Sequence, residues 1–157
     1  MGSKSDWQSL KGCVDVLHGM EIEVEVHVAS AHRTPEKVAS FAANARENGF
    51  EVIIAAAGKA AHLAGVIAGH TTLPVIGIPV KSSFMDGLDS LLSTVQMPTG
   101  IPVATVAVGG GDNAAYLAAQ ILSIKYPILT EKLLAHREKM AHTIEEDDRQ
   151  IAKECAD

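Results

Sequence analysis

Ile22-Glu23-Val24-Glu25-Val26-His27-Val28-Ala29-Ser30-Ala31-His32-Arg33-Thr34-Pro35 is the stretch whose reading decides the fold. Its first half alternates apolar and polar residues, the period of a strand. Its second half ends in Thr34 and Pro35, which read as an N-cap and a first helical residue. The stretch is therefore a strand-to-helix elbow. In an open parallel α/β sheet, ligands sit outside the carboxyl ends of the strands, so such an elbow turns its side chains and free helix N–H groups toward one site. Ser30, His32 and Arg33 put a hydroxyl, an imidazole and a guanidinium within four residues. An arginine beside a helix N-terminus favours an anion, and a neighbouring histidine exchanges a proton near neutral pH. A structural imidazole capping its helix is the plainer alternative for His32. The flanking Ser30 and Arg33 favour proton transfer on a phosphorylated substrate.

On the N-terminal side, Trp7, Leu10, Val14 and Leu17 follow helical spacing, with Ser5 or Asp6 as cap and Gly19 as stop. Gly2-Ser3-Lys4-Ser5 ahead of that helix suits a phosphate, and reads equally as an ordinary capped terminus. On the C-terminal side, a second helix runs through Val38, Phe41, Ala42 and Ala45 to Asn48-Gly49. Residues 51–57 then form a buried strand that ends in Ala57-Gly58-Lys59-Ala60-Ala61-His62-Leu63. Small residues there let a ligand approach the backbone, and Lys59 and His62 add polar groups. Residues 74–80 and 102–108 are further apolar strands, separated by a short helix over 87–93 and a turn at Gln96-Met97-Pro98-Thr99-Gly100. Gly109-Gly110-Gly111-Asp112-Asn113 leads into an alanine-rich helix over 114–123. Strands alternating with helices at this spacing imply βαβ units and a parallel sheet, so the expected architecture is a three-layer α/β/α sandwich.

Composition bounds the function. At 157 residues the chain makes about one domain. Residues 1–126 are expected to form an α/β catalytic unit and 127–157 a helical extension of the same domain. Within that extension Leu133, Met140, Ile144 and Ile151 are too sparse for a separate core, so the helix is expected to pack on a neighbouring subunit. The acidic run Glu145-Glu146-Asp147-Asp148 also allows a solvated tail. Hydrophobic residues make up 47% and aromatic residues 4%, so the core is aliphatic and rich in small side chains. A net charge of −6 argues against nucleic acid as partner, which needs a basic face. Cys13 and Cys155 are too far apart for a C-x-x-C motif, which fits a reducing, cytoplasmic setting. No apolar run approaches the ~20 residues of a membrane span.

Seven histidines raise the question of a metal. His18, His27, His136 and His142 lack a partner spacing, whereas His32, His62 and His70 could converge through the fold. No carboxylate or thiolate set accompanies those three, so no metal site is expected. Nucleophile-elbow, Walker and G-x-G-x-x-G motifs do not occur, which argues against hydrolase, NTPase and dinucleotide readings.

Four separated motifs carry a resemblance. Gly2-Ser3-Lys4-Ser5-Asp6-Trp7, Ser30-Ala31-His32-Arg33-Thr34-Pro35, Ala60-Ala61-His62-Leu63, and Asp89-Ser90-Leu91 through Val95-Gln96-Met97-Pro98 closely resemble the N5-carboxyaminoimidazole ribonucleotide mutase family of de novo purine synthesis. The match runs from Met1 to about residue 122. The resemblance implies a flavodoxin-like parallel sheet, a homo-octamer with sites at subunit interfaces, and carboxyl migration from the exocyclic nitrogen to C4 of the imidazole without metal, ATP, biotin or other cofactor. In such enzymes released CO2 is trapped and then added to carbon. His32 would supply and recover the proton. Ser3, Ser30 and Arg33 would hold the 5′-phosphate and Asp6 the ribose hydroxyls, while Ser5, Gly58, Lys59, His62 and Leu63 would complete the ribonucleotide site.

Three departures from the family pattern stand out. Lys59 replaces a second glycine, and Ala64 replaces a proline after the His-Leu pair. Family members also carry a hydrophobic strand just before Gly2-Ser3. That strand would be central to the sheet, and a chain starting at Met1 with its place unfilled is expected to be poorly stable. A related branch carboxylates aminoimidazole ribonucleotide directly with CO2; Ala61-His62-Leu63 favours the mutase branch. A binding module that has kept the fold and lost turnover is the third possibility.

Overall fold

A computed structural model describes residues 1–156. The helices are α1 (Trp7–Gly19), α2 (Pro35–Asn44), α3 (Leu63–Ala68), α4 (Leu88–Val95), α5 (Gly111–Ser123) and α6 (Pro127–Glu154). The strands are β1 (Ile53–Gly58), β2 (Val75–Val80) and β3 (Ala104–Thr105), hydrogen-bonded in the order β1-β2-β3. Both pairings are parallel, with Ile53 opposite Val75 and Ile76 opposite Ala104.

Two apolar layers flank the sheet. Val38, Ala42, Leu63, Ala64 and Ile67 of α2 and α3 pack on Ile53, Ala55 and Val75, while Leu10, Cys13, Leu17, Ala114 and Ala118 of α1 and α5 pack on Ala56, Ile76 and Ile78. Alternate strand residues serve opposite faces, which is why β1 and β2 read as nearly continuous apolar runs. The result is the expected α/β/α sandwich. Small residues set the layer spacing: a Cβ on Gly111 would lie 2.5 Å from the Ser9 carbonyl oxygen, so only glycine lets α5 approach α1 this closely.

The strand expected over residues 22–28 does not form as a paired strand. The segment is extended but carries no ladder, and Val26 and Val28 are 46% and 47% exposed. Ile22 N–H bonds back to the Leu17 carbonyl oxygen (2.9 Å), and the bonds toward other segments gather at the far end. The Met1 amino group donates to the His27 carbonyl oxygen (2.8 Å), Ala29 N–H donates to the Met1 carbonyl oxygen (2.9 Å), and Gly2 N–H donates to the Ala56 carbonyl oxygen (3.1 Å). Met1 and Gly2 thus bridge the extended segment to β1. Beyond them lies a cavity of about 1240 Å³, bordered by Val24, Val26, Val52 and Ile54. No other described segment fills this place. Burial there lowers the Met1 amino pKa, opposed by Asp6 and aided by Lys37.

The last predicted strand shortens to two residues, and the residues after it turn early, with Gly109 N–H donating to the Pro79 carbonyl oxygen. α6 spans 28 residues, about 42 Å at 1.5 Å per residue. Only its first turns dock: Leu129 is buried, Lys132 pairs with Glu21 (2.7 Å), and His136 stacks on Tyr116 at 4.4 Å between centroids. From residue 137 to 154 every side chain is exposed. No described helix is long and apolar enough to cross a membrane.

Candidate functional site

The turn over residues 30–35 is built by its own side chains. Thr34 N–H donates to the Ser30 carbonyl oxygen (2.9 Å). The Thr34 hydroxyl accepts from Ser30 N–H (2.9 Å) and donates to the Ser30 carbonyl oxygen (3.2 Å). Thr34 therefore stands at the N-cap position without its side chain capping α2, because that hydroxyl is used inside the turn. Ser30 Oγ accepts from Arg33 N–H (3.2 Å) and Arg33 Nε (3.3 Å), and Arg33 Nη2 donates to the Gly2 carbonyl oxygen (2.9 Å). A guanidinium carries five N–H donors. Three stay free of these contacts.

The N-terminal loop meets this turn. Ser3 Oγ accepts from Ser5 N–H (3.3 Å) and the Ser5 hydroxyl (3.0 Å), capping a short 3-10 turn over Lys4–Asp6. Asp6 begins α1 without a side-chain capping bond; its buried carboxylate lies 3.4 Å from Ser5 Oγ, whose single hydrogen can serve either Ser3 or Asp6. Between loop and turn lies an open hollow of about 310 Å³, lined by Gly2, Ser3, Lys4, Ser30, Arg33 and Thr34 among others. Two cations and three hydroxyls around one hollow suit an oxyanion such as phosphate.

The second loop arrives from β1. A Cβ on Gly58 would stand 3.3 Å from the Val80 carbonyl oxygen, so glycine permits the close run of β1 beside β2. Lys59 follows with φ +56°, a left-handed conformation that costs a residue with a side chain on the order of 1 kcal/mol. It has no ion-pair partner among the described residues. His62 precedes α3, and its Nδ1 lies 2.9 Å from Nε2 of His32, the rings edge to face at 80°. Two protonated nitrogens would both be donors and could not share this contact. At least one ring nitrogen of the pair is therefore bare.

The structure brings together Ser3, Ser30 and Arg33 around the hollow and His32 with His62 beside it. It does not bring in His70, which follows α3 at the end opposite His62. The possible convergence of three histidines fails because a helix separates two of them. Among the described residues no three His, Cys, Asp or Glu side chains gather into a metal-binding group. Leu63 turns its side chain into the core, 3% exposed, so only its backbone could meet a ligand. Sequence reasoning passed over Lys4 and Thr34 as lining residues. Lys4 lay within the segment read as suited to phosphate, but nothing local indicates that residues 2–4 and 30–34 face each other.

The AIR carboxylase family model matches residues 1–143. A relative from Pyrococcus abyssi (strain GE5 / Orsay), named N5-carboxyaminoimidazole ribonucleotide mutase, is 58% identical over 140 residues, covering 89% of this chain and 80% of its own. One of the same name from Saccharolobus solfataricus is 53% identical over 144 residues, covering 92% and 91%. The crystal structure of Treponema denticola PurE superposes with a TM-score of 0.85 at 30% identity, covering 96% of this chain and 94% of that one. With its parallel sandwich, its anion hollow and its relatives all in agreement, the chain belongs to the AIR carboxylase family.

Proposed function

We propose that this protein is an N5-carboxyaminoimidazole ribonucleotide mutase, an isomerase of purine biosynthesis. The names of relatives at 48–58% identity support the activity. The observation that carries the assignment of roles is His32, in the same turn as the guanidinium of the anion hollow and in contact with His62 of the facing loop. Ser3, Ser30 and Arg33, joined by Lys4, hold the 5′-phosphate, and Asp6 and Ser5 meet the ribose. Residues 58–63 cover the base, with Lys59 close to the migrating carboxylate and Leu63 contributing backbone alone.

The chemistry follows from proton balance. The bond between the exocyclic nitrogen and the carboxyl carbon breaks, leaving CO2 and a nitrogen that takes a proton from His32. C4 then attacks the retained CO2, and the hydrogen displaced from C4 returns to His32. An imidazole acts in both directions near neutral pH, and the contact with His62 orients the ring. Held in a small dry pocket, CO2 is captured before it is hydrated. Proton transfer alone is required of the protein, so no metal or other cofactor is called for.

The exposed stripe Met140, Ile144 and Ile151 suits α6, within the 127–157 extension, to a contact between subunits; the octamer and the cytoplasmic setting rest on the family resemblance. Residues 1–126 form the catalytic unit.

The test is conversion of the N-carboxylated ribonucleotide to its C4 isomer by purified protein. His32→Asn is expected to lower turnover by about 10²–10⁴ while ligand still binds. Undiminished turnover would remove His32 from the mechanism. Faster product formation from aminoimidazole ribonucleotide with bicarbonate than from the carbamate would assign the direct carboxylase instead.

A further inference from the structure

The two loops that meet beside the hollow set out their charges in a definite order. Arg33 borders the hollow and is next in sequence to His32. His32 reaches across to His62 (2.9 Å), and Lys59 lies three residues before His62 in the loop that leaves β1. Each loop thus joins one cation to one imidazole. The other cations nearby are engaged. Lys4 lines the hollow, Lys37 donates to the Val28 carbonyl oxygen (2.9 Å), and Lys81 pairs with Asp86 (2.7 Å). Lys59 is exposed, lies outside the hollow and has no ion-pair partner among the described residues. The fold gives no reason for a lysine at this point. Gly58 ends β1 against the Val80 carbonyl oxygen, and the chain then turns with φ +56° at residue 59. Glycine takes that conformation freely, whereas a residue with a Cβ is strained in it. The turn closes without the lysine: His62 N–H donates to the Ala60 carbonyl oxygen (2.9 Å), and Ala61 is buried. Strain at a position whose side chain holds nothing in the fold points to a use outside it.

A ligand with its phosphate in the hollow passes the imidazole pair before it reaches residue 59. An ammonium without a partner gains most from an anion, so the far end of that ligand is expected to be charged. In the reaction proposed above, substrate and product each carry a carboxylate at that end, and the same ribonucleotide without CO2 carries none. Resting on that reading, we infer that Lys59 is the specificity-determining residue for the second anion. It selects carboxylated aminoimidazole ribonucleotides over uncharged relatives of the same outline, while the hollow selects for the phosphate alone. Lysine suits the task better than arginine would. Its compact charge on a flexible four-carbon stem can follow a carboxylate that moves from the exocyclic nitrogen to C4, whereas a planar fork is matched to one fixed orientation.

Two probes isolate the charge: 4-carboxy-5-aminoimidazole ribonucleotide and its 4-carboxamide, alike in phosphate, ribose, ring and outline. Calorimetric titration of the purified chain at low ionic strength is expected to show the carboxylate bound about tenfold more tightly, the low end for a charged hydrogen bond because the lysine is exposed. Lys59→Met is expected to weaken the carboxylate by about tenfold and the carboxamide by less than about twofold. Lys59→Gly removes charge and strain together and is expected to show the same loss, while Lys59→Arg keeps most of the preference. Added salt should shrink the preference in the unsubstituted chain and leave Lys59→Met nearly unchanged. The inference is overturned if Lys59→Met keeps the original ratio of the two affinities, which would make residue 59 a solvated loop lysine. It is equally overturned if both ligands weaken together, which would mean that the side chain acts through the shape of the loop. Either result leaves the mutase reading intact wherever the unsubstituted chain binds both ligands and converts the N-carboxylated ribonucleotide. An unsubstituted chain that binds neither ligand would remove the mutase reading itself, and this inference with it.

Discussion

The two sides of β1 carry the same kind of sequence and differ in outcome. Toward β2, six residue pairs lie in register from Ile53 with Val75 to Gly58 with Val80, and every β2 residue is buried. Toward residues 22–28, where apolar residues alternate regularly, one main-chain bond from Gly2 reaches β1 and two valines stand half-exposed. Alternation therefore says which face a side chain takes, and the neighbour decides whether a strand exists. The contrast reaches the site. His62 hangs from the well-paired side, whereas His32 and Arg33 hang from the segment held mainly through Met1 and Gly2.

The largest test of this contrast is thermodynamic. Ile76 is fully buried between β1 and β3, and Ile76→Ala is expected to cost about 2–5 kcal/mol through lost burial and a cavity that close packing cannot refill. Val26→Ala, in the unpaired segment, should cost no more than about 0.5 kcal/mol. Urea midpoints at constant m decide it. Equal losses would mean that the 22–28 segment packs as firmly as the sheet.

Arg33 comes next because it belongs to both structure and ligand. Its guanidinium ties the loosely held turn to the Gly2 carbonyl oxygen while lining the anion hollow. Arg33→Ala is expected to weaken ribonucleotide affinity by about tenfold to hundredfold, the range for a charged hydrogen bond. Arg33→Lys should recover only part of this, since an ammonium cannot bond Ser30, Gly2 and a phosphate as a fork. Calorimetric titration with substrate or product measures it. An Arg33→Ala protein that binds normally would move the phosphate elsewhere.

These cases show what was legible in the chain itself. α1 and α2 followed from 3.6-residue periodicity with Gly19 and Pro35 at their ends, and α5 from its alanine-rich run, though it begins at Gly111 inside the stretch read as a loop, because helix formation is local. β1 and β2 followed from apolar runs. Pairing of residues 22–28 could not be read, since it depends on what lies alongside at long range. Within the site, the chemical types at Ser30, His32 and Arg33 were visible at once. The contact of His32 with His62 and the place of Lys4 depend on two loops meeting after the sheet has formed. Thr34 takes the N-cap position read from the sequence, but its hydroxyl bonds the Ser30 backbone instead of capping α2, a choice settled by turn geometry.

A smaller effect belongs to the well-paired side. Lys59 holds a left-handed backbone at the end of β1, where a glycine carries no penalty. Lys59→Gly should therefore stabilise the fold by about 0.5–1 kcal/mol, partly offset by the greater freedom of glycine in the unfolded chain. If the lysine also meets the migrating carboxylate, turnover falls as Tm rises. A parallel rise in both would show that the side chain serves only the backbone's shape.

The smallest effect at neutral pH sharpens the contrast from underneath. Cys13 borders the cavity beside the unpaired segment, and its thiol is pushed up from 9.0 to about 11, first by burial and then by Asp112. A folded-state pKa above the unfolded one means that the native chain keeps its proton longer. The associated stability is intact below pH 9 and is lost as pH climbs from 9 toward 11. Urea midpoints should thus be level up to about pH 8.5 and decline above it, with the decline flattened in Cys13→Ala. At pH 8 a thiol reagent should label exposed Cys155 and spare Cys13. Because the shift depends on the burial of Cys13 among Leu10, Leu17, Ala114 and Ala118, rapid labelling of Cys13 in the folded protein would mean that the packing of α1 on α5 and the sheet opens readily.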